Sequence, residues 1–453
     1  MVGSLGVSNV RCLPKKTGFR PIINLRKRFK DKNNLSINIL LQSLFHVLTH
    51  ERESRPIKHH LSAAGPRDIF TAFSTFKSKY DLIPHLYFAK LDIKSCFDSI
   101  PHDKLLIIVK DFLRSNFYLI EKSIVHSISQ NSVKTKYQKS VSEFGVPQDF
   151  ERWLVQQKKF LKNALIVNQI VPLYQNRQRL LHLLSQHLVM NLVDFNGEIY
   201  RQTIGIPQGS VLSSLLCGIF YSHMDENSLK GVLDPEGLLL RYIDDFLYIS
   251  PNRRFACKFV KHLHRGIPEY NCFINREKTV TNFSLEVDGN IVVSNSNRLF
   301  PWCGYLIDTK TLDVYADYSN RIFTSDYLTI EYCETPVISL SRKMKGYLKL
   351  RLHPIFTDLS FNNRKTVMIN IYQNFKETFA KFECYINESG LQMSDRVVEE
   401  LVSELSEFCF SYIRSRCKKF ISRMDIDKIV SFFFASSIID HEMFEIVNFP
   451  THV

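Results

Sequence analysis

Two acids wedged between apolar runs constrain this chain more than any other feature. The segment reads Leu238-Leu239-Leu240-Arg241-Tyr242-Ile243-Asp244-Asp245-Phe246-Leu247-Tyr248-Ile249. Each apolar run has the length and residue types of a strand. Acids are depleted in strands, and adjacent like charges repel, so Asp244 and Asp245 belong at the tight turn of a hairpin. An ordinary solvated Asp-Asp turn would leave the same local pattern. Other parts of the chain have to decide between the two.

At 453 residues the chain is long enough for two or more domains with substantial cores. A hydrophobic fraction of 45% suits globular folding and argues against disorder. Lys+Arg number 59 against 45 Asp+Glu, a net charge of +14 that points to a polyanionic partner, most simply nucleic acid. The 35 Phe and 19 Tyr supply large core side chains, with some left over for stacking surfaces. No two of the ten Cys form a Cys-x-x-Cys pair, which removes the usual zinc and redox motifs. Most lie in apolar contexts, as reduced thiols of a cytosolic or nuclear protein do. There is no signal-peptide pattern and no long uncharged apolar run, and Phe432-Phe433-Phe434-Ala435 is too short to span a bilayer. No membrane partner is expected.

No repeat or low-complexity tract interrupts the chain. Residues 10–25 hold two apolar segments around the basic connector Pro14-Lys15-Lys16-Thr17-Gly18. Leu86-Tyr87-Phe88-Ala89-Lys90-Leu91-Asp92-Ile93 reads as a second strand, with a helix-like run after Asp92. From about 105 to 200 the chain is polar, basic and partly helical, with Leu180, Leu181, Leu184 and Leu188 at helical spacing. A turn at 205–209 leads into a helix carrying Val211, Leu212, Leu215, Leu216, Ile219 and Phe220, so that Gln208 and Gly209 stand at its start. Short strands are expected near Phe273 and Cys303. After about Ser319 the pattern is helical, with Val367, Ile371, Phe375 and Phe379 four residues apart. A boundary near 320 divides the chain into 1–319 and 320–453.

Asp92 supplies the third acid. A strand-end carboxylate and an acid pair at a hairpin turn can meet on neighbouring strands of one sheet. Three carboxylates there offer hard oxygen ligands to two Mg²⁺ ions, which keep sites free for phosphate oxygens. Such a metal pair clamps the attacking and leaving oxygens of a phosphoryl transfer.

The order of motifs resembles a reverse transcriptase, and the details resemble the telomerase reverse transcriptase family. Arg11-Cys12-Leu13-Pro14-Lys15 and Gly18-Phe19-Arg20-Pro21-Ile22 resemble its finger motifs. Residues 90–105 resemble motif A, Gly205-Ile206-Pro207-Gln208-Gly209-Ser210 the palm-helix motif, and residues 241–246 motif C. Asn275-Arg276-Glu277-Lys278-Thr279 resembles motif D, and Trp302-Cys303-Gly304-Tyr305-Leu306-Ile307-Asp308 the primer grip. The resemblance implies an α+β right-hand polymerase: fingers and palm over 1–319, with an insertion at about 105–200, then an all-α thumb over 320–453. It implies an RNA-directed DNA polymerase that extends chromosome ends in the nucleus. The implied partners are telomerase RNA, a telomeric DNA 3′ end and deoxynucleoside triphosphates.

Residue by residue, the resemblance makes Asp92, Asp244 and Asp245 the metal ligands. Lys278 would be a general acid or electrostatic stabiliser toward pyrophosphate. Lys15 and Arg20 would meet the triphosphate. Phe97 would lie beneath the incoming sugar and exclude a 2′-hydroxyl. Many relatives carry Tyr there; Phe keeps the bulk and loses the hydroxyl. Gln208 and Gly209 would approach template or nucleotide. Ile243, Trp302, Cys303 and Gly304 would lie along the primer, and the basic run Arg342, Lys343, Lys345, Lys349 and Arg351 would face duplex phosphates. Each position also has an ordinary structural reading: a core Phe, a buried Trp in a turn, a solvated lysine. About ten residues precede the first finger motif, so the family's N-terminal and RNA-binding domains are expected to lie outside this chain. A fragment, a truncated gene product or a reduced relative fits that expectation. A retroelement or group II intron reverse transcriptase is the enzymatic alternative, and a non-catalytic nucleic-acid-binding scaffold, which loss of an acid would favour, is the other.

Overall fold

The computed structural model describes residues 5–14, 18–29, 35–55, 60–62, 65–129, 132–143, 164–295, 297–319 and 335–436. Its centre is a six-stranded sheet. In spatial order the strands are Val293–Ser294, Val280–Thr281, Tyr87–Asp92, Asp245–Ser250, Leu238–Tyr242 and His60–Ser62. The acid-bearing hairpin pairs Leu238 with Ile249 through to Tyr242 with Asp245, which leaves Ile243 and Asp244 as its two-residue turn.

The hairpin strands are apolar at nearly every position because both faces of the sheet are covered. Side chains alternate between the faces. Ala89, Leu91, Leu239, Phe246 and Tyr248 join one core, with Leu216 and Phe220 of the helix Ser213–Ser228 and Phe259 and Val260 of the helix Arg253–Arg265. Phe88, Leu238, Leu240, Leu247 and Ile249 join the other, with Ile69 and Phe73 of the helix Pro66–Lys77 and Phe300, Trp302 and Ile307 of a second hairpin.

A separate four-stranded sheet joins the N-terminal strands to a later hairpin, in the order Glu198–Arg201, Leu192–Phe195, Val7–Pro14, Phe19–Ile23. From Pro336 onward the regular elements among the described residues are helices: Pro336–Lys349, Pro354–Thr357, Arg364–Ser389, Asp395–Arg414 and Arg423–Ser436. Val367, Ile371, Phe375 and Phe379 line the inner face of Arg364–Ser389 and build a third core.

Three local expectations need correction. The run after Asp92 is a series of turns with Ser95 at φ +52, and the helix His102–Phe112 begins only after Pro101. Gln208 and Gly209 do not start a helix; it begins at Ser213. The stretch at about 105–200 contains far more strand than expected. Phe117–Ser129, Ser132–Glu143 and Ala164–Asn176 form an antiparallel sheet with Phe117–Ser129 in the middle. The expected helix follows as Arg177–Val189, with Leu180, Leu184 and Leu188 buried.

Candidate active site

Register brings the acids together. Asp245 begins its strand directly opposite Asp92, the last residue of the neighbouring strand. Asp244 sits one residue earlier on the turn, and its carbonyl accepts the Ile93 N–H at 2.9 Å. Ile243 holds φ +58, a left-handed conformation that a β-branched residue rarely adopts. Burial, then the neighbouring Asp245 and Asp92 charges, push the Asp244 carboxyl above the usual range. Burial also raises Asp245; Lys90 opposes that rise and Asp92 adds to it. The three carboxylates together therefore call for positive charge.

Lys278 supplies some. It ends the 3₁₀ turn Arg276–Lys278, and its Nζ lies 3.0 Å from Asp92 Oδ2. The Asn275 N–H donates to the Asp92 carbonyl at 2.8 Å, so this turn is fixed to the strand that carries the acid. Among the described residues no three His, Cys, Asp or Glu side chains close on a common point as a metal cage. The donor chemistry nevertheless fits a hard divalent cation. Mg²⁺ takes one or two protein carboxylates and fills its octahedron with water and phosphate oxygens, and Asp92 and Asp245 offer such a pair.

The loop 205–212 packs against the turns that follow Asp92. The Ile206 N–H donates to the Phe97 carbonyl at 2.8 Å, and Gly205 packs so closely that a Cβ there would lie 2.7 Å from the Asp98 Cα. Phe97 itself is half-buried against the core. Gln208 donates from Nε2 to Asp98 Oδ1 at 3.0 Å. Its carbonyl accepts the Ile23 N–H at 2.8 Å, which ties the loop to the strand Phe19–Ile23. Gly209 has φ +115, and a Cβ on it would meet the Ile23 carbonyl oxygen at 2.3 Å. Asn38 clamps the same loop, donating to the Gly209 carbonyl at 3.1 Å and accepting from the Val211 N–H at 2.9 Å. Arg20 is exposed on that strand, whereas Lys15 lies outside the described residues.

The second hairpin approaches from the other face. Its strands Leu299–Trp302 and Tyr305–Asp308 are joined by Cys303 at φ +47 and Gly304 at φ +77. Trp302 is only 1% exposed and stacks on Tyr305, so the residues this turn presents are Cys303 and Gly304. The Cys303 thiol donates to Asp245 Oδ2 at 3.5 Å, a long contact, and burial pushes this thiol up. In the basic run, Lys345 pairs with Glu404, and Arg351 packs over Tyr318 and Phe356 beside Gly304. Arg342 and Lys349 are exposed.

The family model described as reverse transcriptase (RNA-dependent DNA polymerase) matches residues 13–148 and 165–305, more than half of the chain. The chain belongs to the reverse transcriptase family. The C-terminal part of this reverse transcriptase, residues 338–426, matches the telomerase reverse transcriptase C-terminal extension. It is 31% identical to the telomerase reverse transcriptase of Canis lupus familiaris over 91% of its own length, and 32% identical to that of Rattus norvegicus over the same share. It spans 39% of the length of each of those relatives. Telomerase from Candida albicans in complex with a fragment of telomeric RNA shares the fold at TM-score 0.65 and 16% identity, covering 99% of this chain and 64% of that one. A Candida tropicalis telomerase complex matches at TM-score 0.51 and 19% identity, with the same coverage.

Four residues to which the motifs assign no role of their own bear on the candidate site. Asn38 and Asp98 clamp the Gln208–Gly209 loop, and Asp225 and Arg241 lie beneath the acid turn. Only Arg241 carried a local signal, as an arginine in an otherwise apolar strand, which demands a buried partner.

Proposed function

We propose that this chain is the catalytic portion of a telomerase, an RNA-templated DNA polymerase that adds deoxynucleotides to the 3′ end of chromosomal DNA in the nucleus. The observation that carries the reading is Asp245 in register with Asp92, with Asp244 on the adjoining turn. The proposed layout is fingers and palm over 1–319 and a helical thumb over 320–453. Asp92, Asp244 and Asp245 would hold two Mg²⁺ ions. Bound there, the ions would lower the pKa of the primer hydroxyl and offset charge on the departing pyrophosphate.

The residues do the rest by position and charge. Lys278, paired with Asp92 in the free protein, would meet the pyrophosphate as proton donor or as cation. Arg20, with Lys15, would clamp the triphosphate at the finger strand. Phe97 would stand under the sugar, its backbone held by Ile206, while Gln208 and Gly209 offer a loop that a base pair can rest on. Ile243, Cys303 and Gly304 would border the primer end, with Trp302 anchoring their turn from the core. Telomerase RNA would supply the template, and deoxynucleoside triphosphates the substrate.

The test is single-turnover extension of a DNA primer annealed to an RNA template by the 453-residue chain in Mg²⁺. Extension that follows the RNA sequence is expected. Asp244→Asn is expected to abolish it while primer–template binding persists. No extension by the unmodified chain would sink the polymerase reading; comparable extension by Asp244→Asn would sink the metal-ligand assignment.

A further inference from the structure

Directly beneath the turn that carries Asp244 lies a buried ion pair that the chemistry above does not use. Arg241 and Asp225 are both buried, with their side chains at 0% exposure. Asp225 comes from the helix Ser213–Ser228, and Arg241 from the strand Leu238–Tyr242. The guanidinium donates from Nε at 3.1 Å and from Nη2 at 3.0 Å to the same oxygen, Asp225 Oδ2. Its remaining arm, Nη1, donates to the Ile243 carbonyl at 3.1 Å. Ser222 Oγ lies 3.5 Å from Nη2.

As a stabilising contact the pair is poorly built. Desolvating two charges costs about as much as their attraction returns, and a packed apolar pair serves a core as well or better. Among the described residues Asp225 Oδ1 is buried with no hydrogen-bond partner, an added cost. What the pair does deliver is a fixed donor at one carbonyl. That carbonyl belongs to Ile243, the β-branched residue at φ +58. Strained backbone of this kind persists only where its surroundings over-determine it, and Arg241 Nη1 is such a constraint. The planar fork of an arginine suits the task, since fixing two arms on Asp225 aims the third.

The same guanidinium also connects to the turns that follow Asp92. It sits over the Tyr221 ring at 5.4 Å, and the Tyr221 hydroxyl donates at 3.1 Å to the carbonyl of Cys96, in the turns that follow Asp92. One buried cluster therefore touches the backbone of the turn that carries Asp244 and of the turns that follow Asp92.

We propose that Arg241, held by Asp225, is a positioning residue for the acid turn: its Nη1 pins the Ile243 carbonyl and so sets where the Asp244 and Asp245 carboxylates stand. The inference rests on the reading of those carboxylates as metal ligands. It requires neither telomeric substrate nor RNA. It makes Asp225 and Arg241 supports of the kind whose loss lowers metal affinity and activity by about 10- to 100-fold.

Arg241→Lys tests it, because lysine keeps the charge and loses the fork. The full chain is titrated with Mn²⁺ alone and free Mn²⁺ is followed by electron paramagnetic resonance, alongside thermal melting and single-nucleotide extension. The expected outcome is a folded variant whose Mn²⁺ affinity falls by about 10- to 100-fold. Its extension rate should fall in parallel and recover in part at high Mn²⁺, with primer–template affinity unchanged. A purely structural role would lower the melting temperature and leave the Mn²⁺ affinity of the folded protein alone. If Arg241→Lys does not fold, Asp225→Asn, which keeps shape and an acceptor oxygen, is expected to shift Mn²⁺ affinity in the same direction. Unchanged Mn²⁺ affinity in a folded variant overturns the inference, as does loss of the fold in both variants or failure of the unmodified chain to bind Mn²⁺. Binding of Mn²⁺ without extension by the unmodified chain would overturn the polymerase reading instead and leave this one to be judged by affinity.

Discussion

At the scale of single residues, Gly209 is the most tightly specified position beside the acids. A Cβ would lie 2.3 Å from the Ile23 carbonyl oxygen, and φ +115 is itself unfavourable for any other residue. Gly18 makes the contrast, with φ +83 but nothing within 4 Å among the described residues. Gly209→Ala must therefore push the loop off the finger strand, whereas Gly18→Ala meets backbone strain alone, roughly 1 kcal/mol. The expected result for Gly209→Ala is a rise in nucleotide KM with a fall in melting temperature; a Gly209→Ala protein with unchanged KM would show that the loop contact is idle. The acids were legible because charge inside an apolar run is conspicuous. Gly209 was legible only by resemblance, and Asn38 not at all. Its two bonds reach residues more than 170 positions away, and nothing within a local window reports such a contact.

At the scale of elements, the central hairpin could be read because both of its strands are apolar and closed by a two-residue turn. The inserted sheet could not. Ser132–Glu143 reads Ser-Val-Lys-Thr-Lys-Tyr-Gln-Lys-Ser-Val-Ser-Glu; Val133, Thr135 and Tyr137 do alternate, but a solvated strand buries too little for the pattern to stand out. Tyr118, Ile120 and Val141 bury this sheet against the main core, and a polar cluster adds to that attachment. Glu51, at the end of the helix Gln42–Glu53, is fully buried and accepts bonds from the Tyr118 hydroxyl and from Arg114, through its backbone N–H at 3.1 Å and its Nε at 2.8 Å. Burial pushes the Glu51 carboxyl up, but the bonds from Tyr118 and Arg114 outweigh it, and the net shift is downward. A depressed carboxylate stabilises the folded state above its unfolded value, about 4.3, and that contribution fades as pH falls below it. Glu51→Gln is expected to lose about 1–3 kcal/mol at neutral pH. The gap from the unmodified protein should narrow as the pH of the melt is lowered through that value. A gap that stays constant with pH would mean that the carboxylate charge contributes nothing.

At the scale of the whole molecule, the helical C-terminal part has its own core, yet it also completes the core on one face of the central sheet. Ile355, Phe356 and Phe361 pack with Leu247 and Ile249 of the acid-bearing hairpin and with Trp302. The junction between the two parts is organised around Asp313, which is 2% exposed. It accepts from Lys77 Nζ at 2.8 Å, from Thr366 Oγ1 at 3.2 Å and from Asn363 Nδ2. Asn370 adds a second tie, accepting from the Ala316 N–H at 3.0 Å and donating to the Val314 and Phe356 carbonyls. The sequence gives no hint that one aspartate joins a helix near residue 70, a hairpin near 310 and a helix near 365, because each partner reads locally as a surface polar residue. The coupling predicts how the protein melts. Shared burial and a shared carboxylate should make the helical part and the central sheet unfold together in the unmodified chain. Asp313→Ala removes the acceptor shared by Lys77, Asn363 and the buried Thr366, which should cost about 1–3 kcal/mol, and removes the link that made the transition common. Calorimetry of the variant is expected to resolve two transitions, with the helical part melting separately from the sheet. A single transition that merely moves to lower temperature would show that the apolar contacts of Ile355, Phe356 and Phe361 suffice to couple the two parts.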